Sequence, residues 1–307
     1  MIRASAGITL FNPKIERLKL NLESILPQVD AVFMVDNASD NVDDVEDLIS
    51  NYRNIVLIKN SVNFGIAKAL NQLCSAAEEK GYEWILLLDQ DSIAEDRLIE
   101  KYSRYTSMDN VAVLTPCIND ENEADIIKSR LEKPFEQVHR CYTSASFTNL
   151  TVWREVGGFD QAMFIDCVDF DYCTTVEEAG YIIIRDNEAV INHILGHATE
   201  VRAFMKIGRL FNIKKLKKPF YTYNHSPLRT YYYARNIKYY TYKHKDFIDR
   251  KTEFRVYIQW LVLKLFFEGQ KWEKLKAIFK GRRDARIMIK EYKAGKKGKQ
   301  NIISNTL

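Results

Sequence analysis

Through the first half of the chain, short apolar runs alternate with stretches whose apolar residues recur at helical spacing. Gly7–Phe11, Ala31–Val35 and Ile55–Lys59 read as strands, with Ile15–Leu26 and Val45–Tyr52 as the helices between them. Asn63-Phe64-Gly65 opens a further helix that runs through Ala67–Lys80. Trp84–Leu88 is almost continuously apolar, the mark of a strand buried on both faces. This β-α-β-α rhythm predicts an α/β fold built on a parallel, doubly wound sheet. Ligands of such sheets bind beyond the carboxyl ends of the strands. Here those ends carry Asn12, Asp36-Asn37, Asn63 and Asp89-Gln90-Asp91.

Further along, the pattern predicts a helix over Leu98–Thr106 and a strand over Val111–Pro116. Asn119–Arg140 is polar and reads as a loop with a short helix. Phe147–Val152 reads as a strand, Arg154–Val156 as a helical turn, and Phe170–Ala179 as a helix closed by Gly180. Tyr181–Arg185 and Ala189–Asn192 are two more predicted strands. From about Arg202 the chain turns basic, aromatic and helical, and past Lys293 it is rich in Lys, Gly and Asn.

Charge sharpens that division. Residues 201–307 carry 28 Lys and Arg against 7 Asp and Glu, whereas residues 1–200 carry 17 against 34. An acidic half suits a metal ion beside an anionic substrate; a basic half suits phosphate, in nucleic acid or on a membrane surface. The five cysteines are odd in number and lack CxxC spacing, which points away from a zinc site or disulfide framework and towards a reduced, cytoplasmic setting. No signal peptide is expected, because Met1–Leu10 is too short and is followed by charges, and no spanning segment, because the longest apolar run, Trp260–Phe267, is broken by Lys264.

Asp89-Gln90-Asp91 is the first candidate for chemistry. Two carboxylates one residue apart, just past a buried strand, can hold Mg2+ or Mn2+ through hard oxygen donors, leaving sites for diphosphate and water. An ordinary acidic turn is the competing reading.

The surrounding order of motifs resembles the family 2 glycosyltransferases of GT-A fold. Strand–Asp36-Asn37-Ala38-Ser39, Asn63-Phe64-Gly65-Ile66-Ala67-Lys68-Ala69-Leu70-Asn71 and Trp84–Asp91 match the nucleotide-binding half. Gly157-Gly158-Phe159-Asp160, then Phe164-Ile165-Asp166-Cys167-Val168-Asp169-Phe170-Asp171 and Gly180-Tyr181, match the acceptor half, although Val168 stands where the family commonly has Glu. The resemblance implies a Rossmann-like, mostly parallel sheet flanked by helices over residues 1–200, with nucleotide-sugar binding in 1–116 and the acceptor side in 117–200. A helical C-terminal extension would occupy 201–307.

The same resemblance distributes roles. Phe11 and Asp36 would flank the nucleobase, and Asn63, Gly65, Lys68 and Asp89 would approach the donor diphosphate. Asp89, Asp91 and His193 would hold the metal, with His197 as the alternative third ligand. Asp169 would be the general base of an inverting transfer, with Asp171 and the more distant Asp166 as rivals. Asp160, Asp171 and Trp153 would face the acceptor. Simple capping competes for Asn63, Gly65, Asp169 and Asp171, a solvated surface position for Lys68, and core packing for Trp153.

In the C-terminal third, Arg229-Thr230-Tyr231-Tyr232-Tyr233-Ala234-Arg235-Asn236 resembles the rhamnosyltransferase-like branch, which implies dTDP-rhamnose as donor. A galactofuranosyl or other hexosyl transfer, with a dTDP- or UDP-sugar, stays open. The implied acceptor is a bacterial cell-surface glycan, free or lipid-linked. Arg282, Arg283, Arg286 and Lys290 are expected on a polar face, with Ile278, Phe279 and Ile287 turned inward. That basic side is either plain solvated surface or a peripheral contact with the inner face of the membrane, and an apolar side could equally serve an oligomer. Two other classes fit less well. A nucleotidyltransferase needs a Gly-rich basic loop that Phe11-Asn12-Pro13-Lys14 does not provide, and a nucleic-acid module leaves Asp89, Asp91 and Asp169 without a role.

Overall fold

The structure, a computed structural model, describes residues 2–119, 133–192, 199–200, 221–222 and 224–304. The chain divides into two compact units, Met1–Ile194 and Leu195–Leu307.

In the first unit, β1 (Ala4–Leu10), β2 (Ala31–Asp36), β3 (Ile55–Lys59) and β4 (Trp84–Asp89) are joined by helices α1 (Ile15–Ile25), α2 (Val42–Ile49) and α3 (Ile66–Glu79). After α4 (Leu98–Ser103) come β5 (Val111–Asn119), β6 (Phe135–Val138), β7 (Ser146–Asn149), α5 (Leu150–Glu155), α6 (Val168–Glu178) and β8 (Ile182–Asn192). All eight strands form one sheet in the order β3-β2-β1-β4-β7-β5-β8-β6. Pairings within β3-β2-β1-β4 and between β5 and β8 are parallel; β7 and β6 run antiparallel to their neighbours. Strands β1 and β4 lie at the centre with nearly every side chain buried, as their unbroken apolar sequences require.

Three departures from the pattern-based expectation have local causes. Phe135–Val138 lacks alternation and reads as loop, yet it becomes an edge strand because β8 offers it a backbone partner. The two strands expected after Gly180 are one, β8, whose register against β5 jumps from Pro116↔Asp186 to Cys117↔Val190. The polar residues of that bulge gave the appearance of a break. The strand expected to reach Val152 stops at Asn149, whose side-chain oxygen accepts from the Thr151 and Val152 N–H groups and starts α5.

Among its described residues the second unit holds a short antiparallel pair, β9 (Thr199–Glu200) with β10 (Tyr221–Thr222), and the helices α7 (Pro227–Lys243), α8 (Arg250–Phe266) and α9 (Lys271–Ser304). Ser226 caps α7 and Pro227 fills its first turn. Helix α9 lies close along α7 at Gly281, where a Cβ would come within 2.5 Å of the Tyr231 carbonyl oxygen. Only glycine permits that approach. The crossing sets the rotation of α9: Ile278 and Ala285 turn inward with Gly281, but Phe279 and Ile287 point to solvent. The expectation that Phe279 and Ile287 face inward is thereby corrected. Their helical angle places them with Arg283 and Lys290, not with Ile278.

Beneath α8 sits a buried ion cluster. The Glu268 carboxylate accepts from Lys264 Nζ at 2.6 Å and from Lys274 Nζ at 2.7 Å, and the Thr222 hydroxyl also donates to it. Burial alone would raise the Glu268 carboxyl, but these donors more than offset it and hold the carboxyl below its ordinary range. One carboxylate thus serves two buried ammonium groups. Glu268→Gln should cost on the order of 3 kcal/mol, read as a lowered denaturation midpoint, because both lysines lose their counter-charge inside the protein.

Candidate active site

The parallel register puts the carboxyl ends of three strands side by side. Leu10 pairs with Asp36 and Thr9 with Asp89, so the two carboxylates flank β1 about two strand spacings, ~10 Å, apart. Phe11 follows β1 and remains half exposed. Its backbone is held at both polar atoms by Gln90: the Phe11 N–H donates to Gln90 Oε1 at 2.8 Å, and Gln90 Nε2 donates back to the Phe11 carbonyl at 3.3 Å. The middle residue of Asp89-Gln90-Asp91 therefore positions Phe11. Sequence reasoning missed Gln90, whose only signal is an amide set between two acids.

Asp36 is buried. Its Oδ2 accepts from the Ser39 N–H at 3.0 Å, while its Oδ1 has no hydrogen-bond partner among the described residues. A buried carboxylate oxygen without a donor is costly, and a ligand N–H would satisfy it. Next to it runs a chain of amides: Gln72 and Asn60 pair with each other, Asn60 donates to Asn37 Oδ1 at 2.9 Å, and Asn37 donates to the Gly65 carbonyl. Asn60 and Gln72 were likewise absent from the sequence reading, since isolated amides carry no pattern.

The turn after β4 is pinned from α1. Asn21 donates to the Asp89 carbonyl and the Arg17 guanidinium to the Asp91 carbonyl, both at 2.8 Å. The Asp91 side chain is exposed. Among the described residues no three His, Cys, Asp or Glu side chains converge as a metal site. His193 and His197, the expected third ligands, lie outside the described residues. Asp89 and Asp91 alone supply two hard oxygen donors, a set that fits Mg2+ or Mn2+ where phosphate and water complete the shell.

Helix α3 carries the loop of residues 157–167. Asn63 Oδ1 accepts from the Gly65 N–H at 2.9 Å, and Gly65 takes φ +83°. A Cβ on Gly65 would meet the Phe164 carbonyl oxygen at 2.4 Å; instead that carbonyl accepts from the Ile66 N–H at 2.8 Å. The first donor of α3 is thus occupied by protein, and Asn63 and Gly65 build the turn that allows it. Lys68, half-buried in the first turn, makes no ion pair among the described residues.

A turn and a half further along α3, Asn71 clamps the same loop. Its Nδ2 donates to the Phe159 carbonyl at 2.8 Å, while its Oδ1 accepts from the Phe159 N–H at 2.9 Å and from Trp153 Nε1 at 3.0 Å. Trp153 also packs against Gly158, whose φ is +73° and whose missing Cβ leaves room for the indole. Its indole N–H is thereby spent on fixing the Gly157-Gly158 turn. Asp160 accepts from the Ala162 N–H at 3.1 Å and shapes the loop beyond.

Asp166 and Cys167 both adopt the left-handed region, φ +65° and +64°, and this costly pair launches α6. Asp169 lies in its first turn. It is half-buried and lines a small cavity with Cys141, Thr143, Ser146, Phe159 and Tyr172. Burial pushes its carboxyl up to about 7, opposed by the Phe170 N–H, while the charges of Asp166 and Asp89 raise it further. Asp171, by contrast, is fully buried within α6. Cys141 and Cys173 approach to 3.6 Å at the cavity wall, and all five cysteines are free thiols.

Asp169 and Asp89 are thus electrostatically coupled at one end of the sheet, within a fold of the GT-A glycosyltransferase class. Solved structures share the fold: the mannosyltransferase PcManGT from Pyrobaculum calidifontis, in complex with GDP-Man and Mn2+, gives TM-score 0.58 at 13% identity, covering 95% of this chain and 79% of that one. GalNAc-T7 with UDP, GalNAc and Mn2+ gives TM-score 0.54 at 11% identity over 78% of this chain, which spans only 51% of that longer one. A dTDP-rhamnosyl transferase RfbF from Shigella flexneri is 28% identical over 247 residues, 75% of this chain and 77% of the relative. The model for Glycosyl transferase family 2 matches residues 5–163, more than half of the chain. The chain belongs to that family.

Two outcomes follow from this geometry. Asn71→Ala removes two hydrogen bonds from α3 to the 157–167 loop and one to Trp153 of α5; it should lower stability by about 2–3 kcal/mol in urea denaturation and cut turnover by shifting the loop that leads to Asp169. The Asp169 carboxyl titrates higher in the folded than in the unfolded chain, so its contribution to stability is complete below about pH 4 and lost as pH rises through about 7. Asp169→Asn should therefore be more stable than the parent by about 1–2 kcal/mol at pH 8, screening included, with the gain fading towards pH 5.

Proposed function

We propose that the chain is an inverting, divalent-cation-dependent transferase that moves L-rhamnose from dTDP-rhamnose to a hydroxyl of a bacterial cell-surface glycan carried on a lipid. The observation that carries the reaction type is Asp169, poised to titrate near 7 and within the electrostatic reach of Asp89. A base of that pKa accepts a proton efficiently at neutral pH. The rhamnosyl donor is supported by the likeness to the dTDP-rhamnosyl transferase RfbF and by the Arg229–Asn236 segment.

In this reading the nucleobase packs on Phe11 and donates an N–H to Asp36, whose Oδ1 otherwise goes unpaired. Lys68 faces the donor diphosphate. Asp89, Asp91 and His193 would hold Mg2+ or Mn2+, which supplies charge neutralisation for the departing nucleotide diphosphate. Asp169 takes the proton of the acceptor hydroxyl as its oxygen attacks the anomeric carbon from the face opposite the leaving group. Asp160 lies on the acceptor side. Asp171, being buried, supports α6.

The test is nucleotide diphosphate release from a panel containing dTDP-rhamnose and UDP-galactofuranose, with Mn2+ or with chelator. dTDP-rhamnose with Mn2+ should turn over fastest; preferential release from UDP-galactofuranose would move the donor assignment to the other branch. Asp169→Asn should lower kcat by about 10²–10⁴ while keeping nucleotide-dependent thermal stabilisation. Asp91→Ala should lose the part of that stabilisation which requires Mn2+. An Asp169→Asn variant turning over within tenfold of the parent would remove Asp169 from the role of base.

A further inference from the structure

We propose that α8 and α9 present an insertion surface for an anionic lipid bilayer, with aromatic side chains entering the interface and Lys and Arg gripping lipid phosphate. The starting observation is that α8 is built inside out. Glu253, Tyr257, Lys264 and the following Glu268 recur four, seven and four residues apart, a single helical stripe, and all four are buried. Outside that stripe Phe254, Ile258 and Phe266 are 61%, 41% and 67% exposed. In water a helix orients the other way round.

Helix α9 repeats the theme on its outer face. Trp272, Phe279 and Ile287 are 74%, 67% and 54% exposed, and Lys276, Arg283 and Lys290 alternate with them at helical spacing. Of the seventeen large exposed apolar side chains among the described residues, ten lie in this unit. Scattered exposed apolar residues need no explanation, but aligned ones do.

The charge selects the occupant. Residues 201–307 carry a net formal charge of +21, so apposing a second copy through this face would bring two strongly cationic surfaces together. An anionic bilayer instead meets both features, because apolar rings settle at the acyl boundary while the flanking cations reach phosphate. No described helix is long and apolar enough to cross a membrane, which fits a surface-lying mode. This inference deepens the lipid-linked acceptor reading, since a docked enzyme meets its acceptor at the bilayer, but it stands on the helix faces alone.

The experiment is co-sedimentation of the full chain with vesicles of phosphatidylglycerol and phosphatidylethanolamine, against phosphatidylcholine vesicles. Binding to the anionic vesicles alone is expected, with a blue shift of tryptophan emission that Trp272→Phe diminishes without abolishing binding. The combined variant Phe254→Ser, Phe266→Ser and Phe279→Ser should bind at least tenfold more weakly at unchanged melting temperature, because these side chains are exposed. Should that variant misfold, the Trp272-dependent shift in the otherwise unaltered chain decides. The proposal is overturned if the parent chain stays in the supernatant, if the triple variant sediments as well as the parent, or if sedimentation velocity shows a dimer that the same three substitutions dissolve. Nucleotide diphosphate release measured without vesicles tests the transferase reading separately, so either idea can fail alone.

Discussion

The docking of the 157–167 loop on helix α3 is the constraint on which the candidate site depends. Two points make it: the Phe164 carbonyl on the first N–H of α3, admitted by Gly65, and the Asn71 carboxamide on both polar atoms of Phe159. Both are backbone contacts, so they fix the path of the chain rather than a single rotamer. Because α3 also packs on β1 and β2, the loop inherits the rigidity of the sheet. From there the strained Asp166-Cys167 turn leads directly into α6, and Asp169 comes within the field of Asp89.

That field comes at a cost to stability. Burial and two like charges keep Asp169 from ionising as an ordinary aspartate does, which suits a base and penalises the folded state at alkaline pH. The same tension, a carboxylate held where it is least comfortable, appears in Asp36, whose second oxygen lacks a donor among the described residues. Around these two, polar groups are paired with care: Gln90 on Phe11, Asn21 and Arg17 on the Asp89–Asp91 turn, and the Asn37–Asn60–Gln72 amides. Rigid surroundings let a few unsatisfied carboxylate atoms persist.

The second unit solves a different problem. Its inward surface carries a shared carboxylate between two lysines, and its outward surface carries rings among cations. Helix periodicity predicts neither arrangement, because a helix with apolar residues on most sides leaves its rotation undetermined. Contact at Gly281 determines it for α9, by allowing one face alone to approach α7.

Much of the framework was legible in the sequence. The strand–helix alternation through residue 89 follows from period and length, because apolar runs and helical stripes reflect local geometry. The carboxyl-end positions of Asp36, Asp89 and Asp91 follow as well, since a parallel sheet places every such end at one edge. What the sequence could not provide were the contacts that depend on distant partners: the edge pairing of Phe135–Val138, the bulge of β8 and the amide clamps of Gln90 and Asn71. The outward turn of Phe279 and Ile287 is of the same kind. Each is decided by which backbone or side chain arrives from elsewhere in the chain. Periodicity records the face a segment offers, whereas tertiary structure decides what meets it.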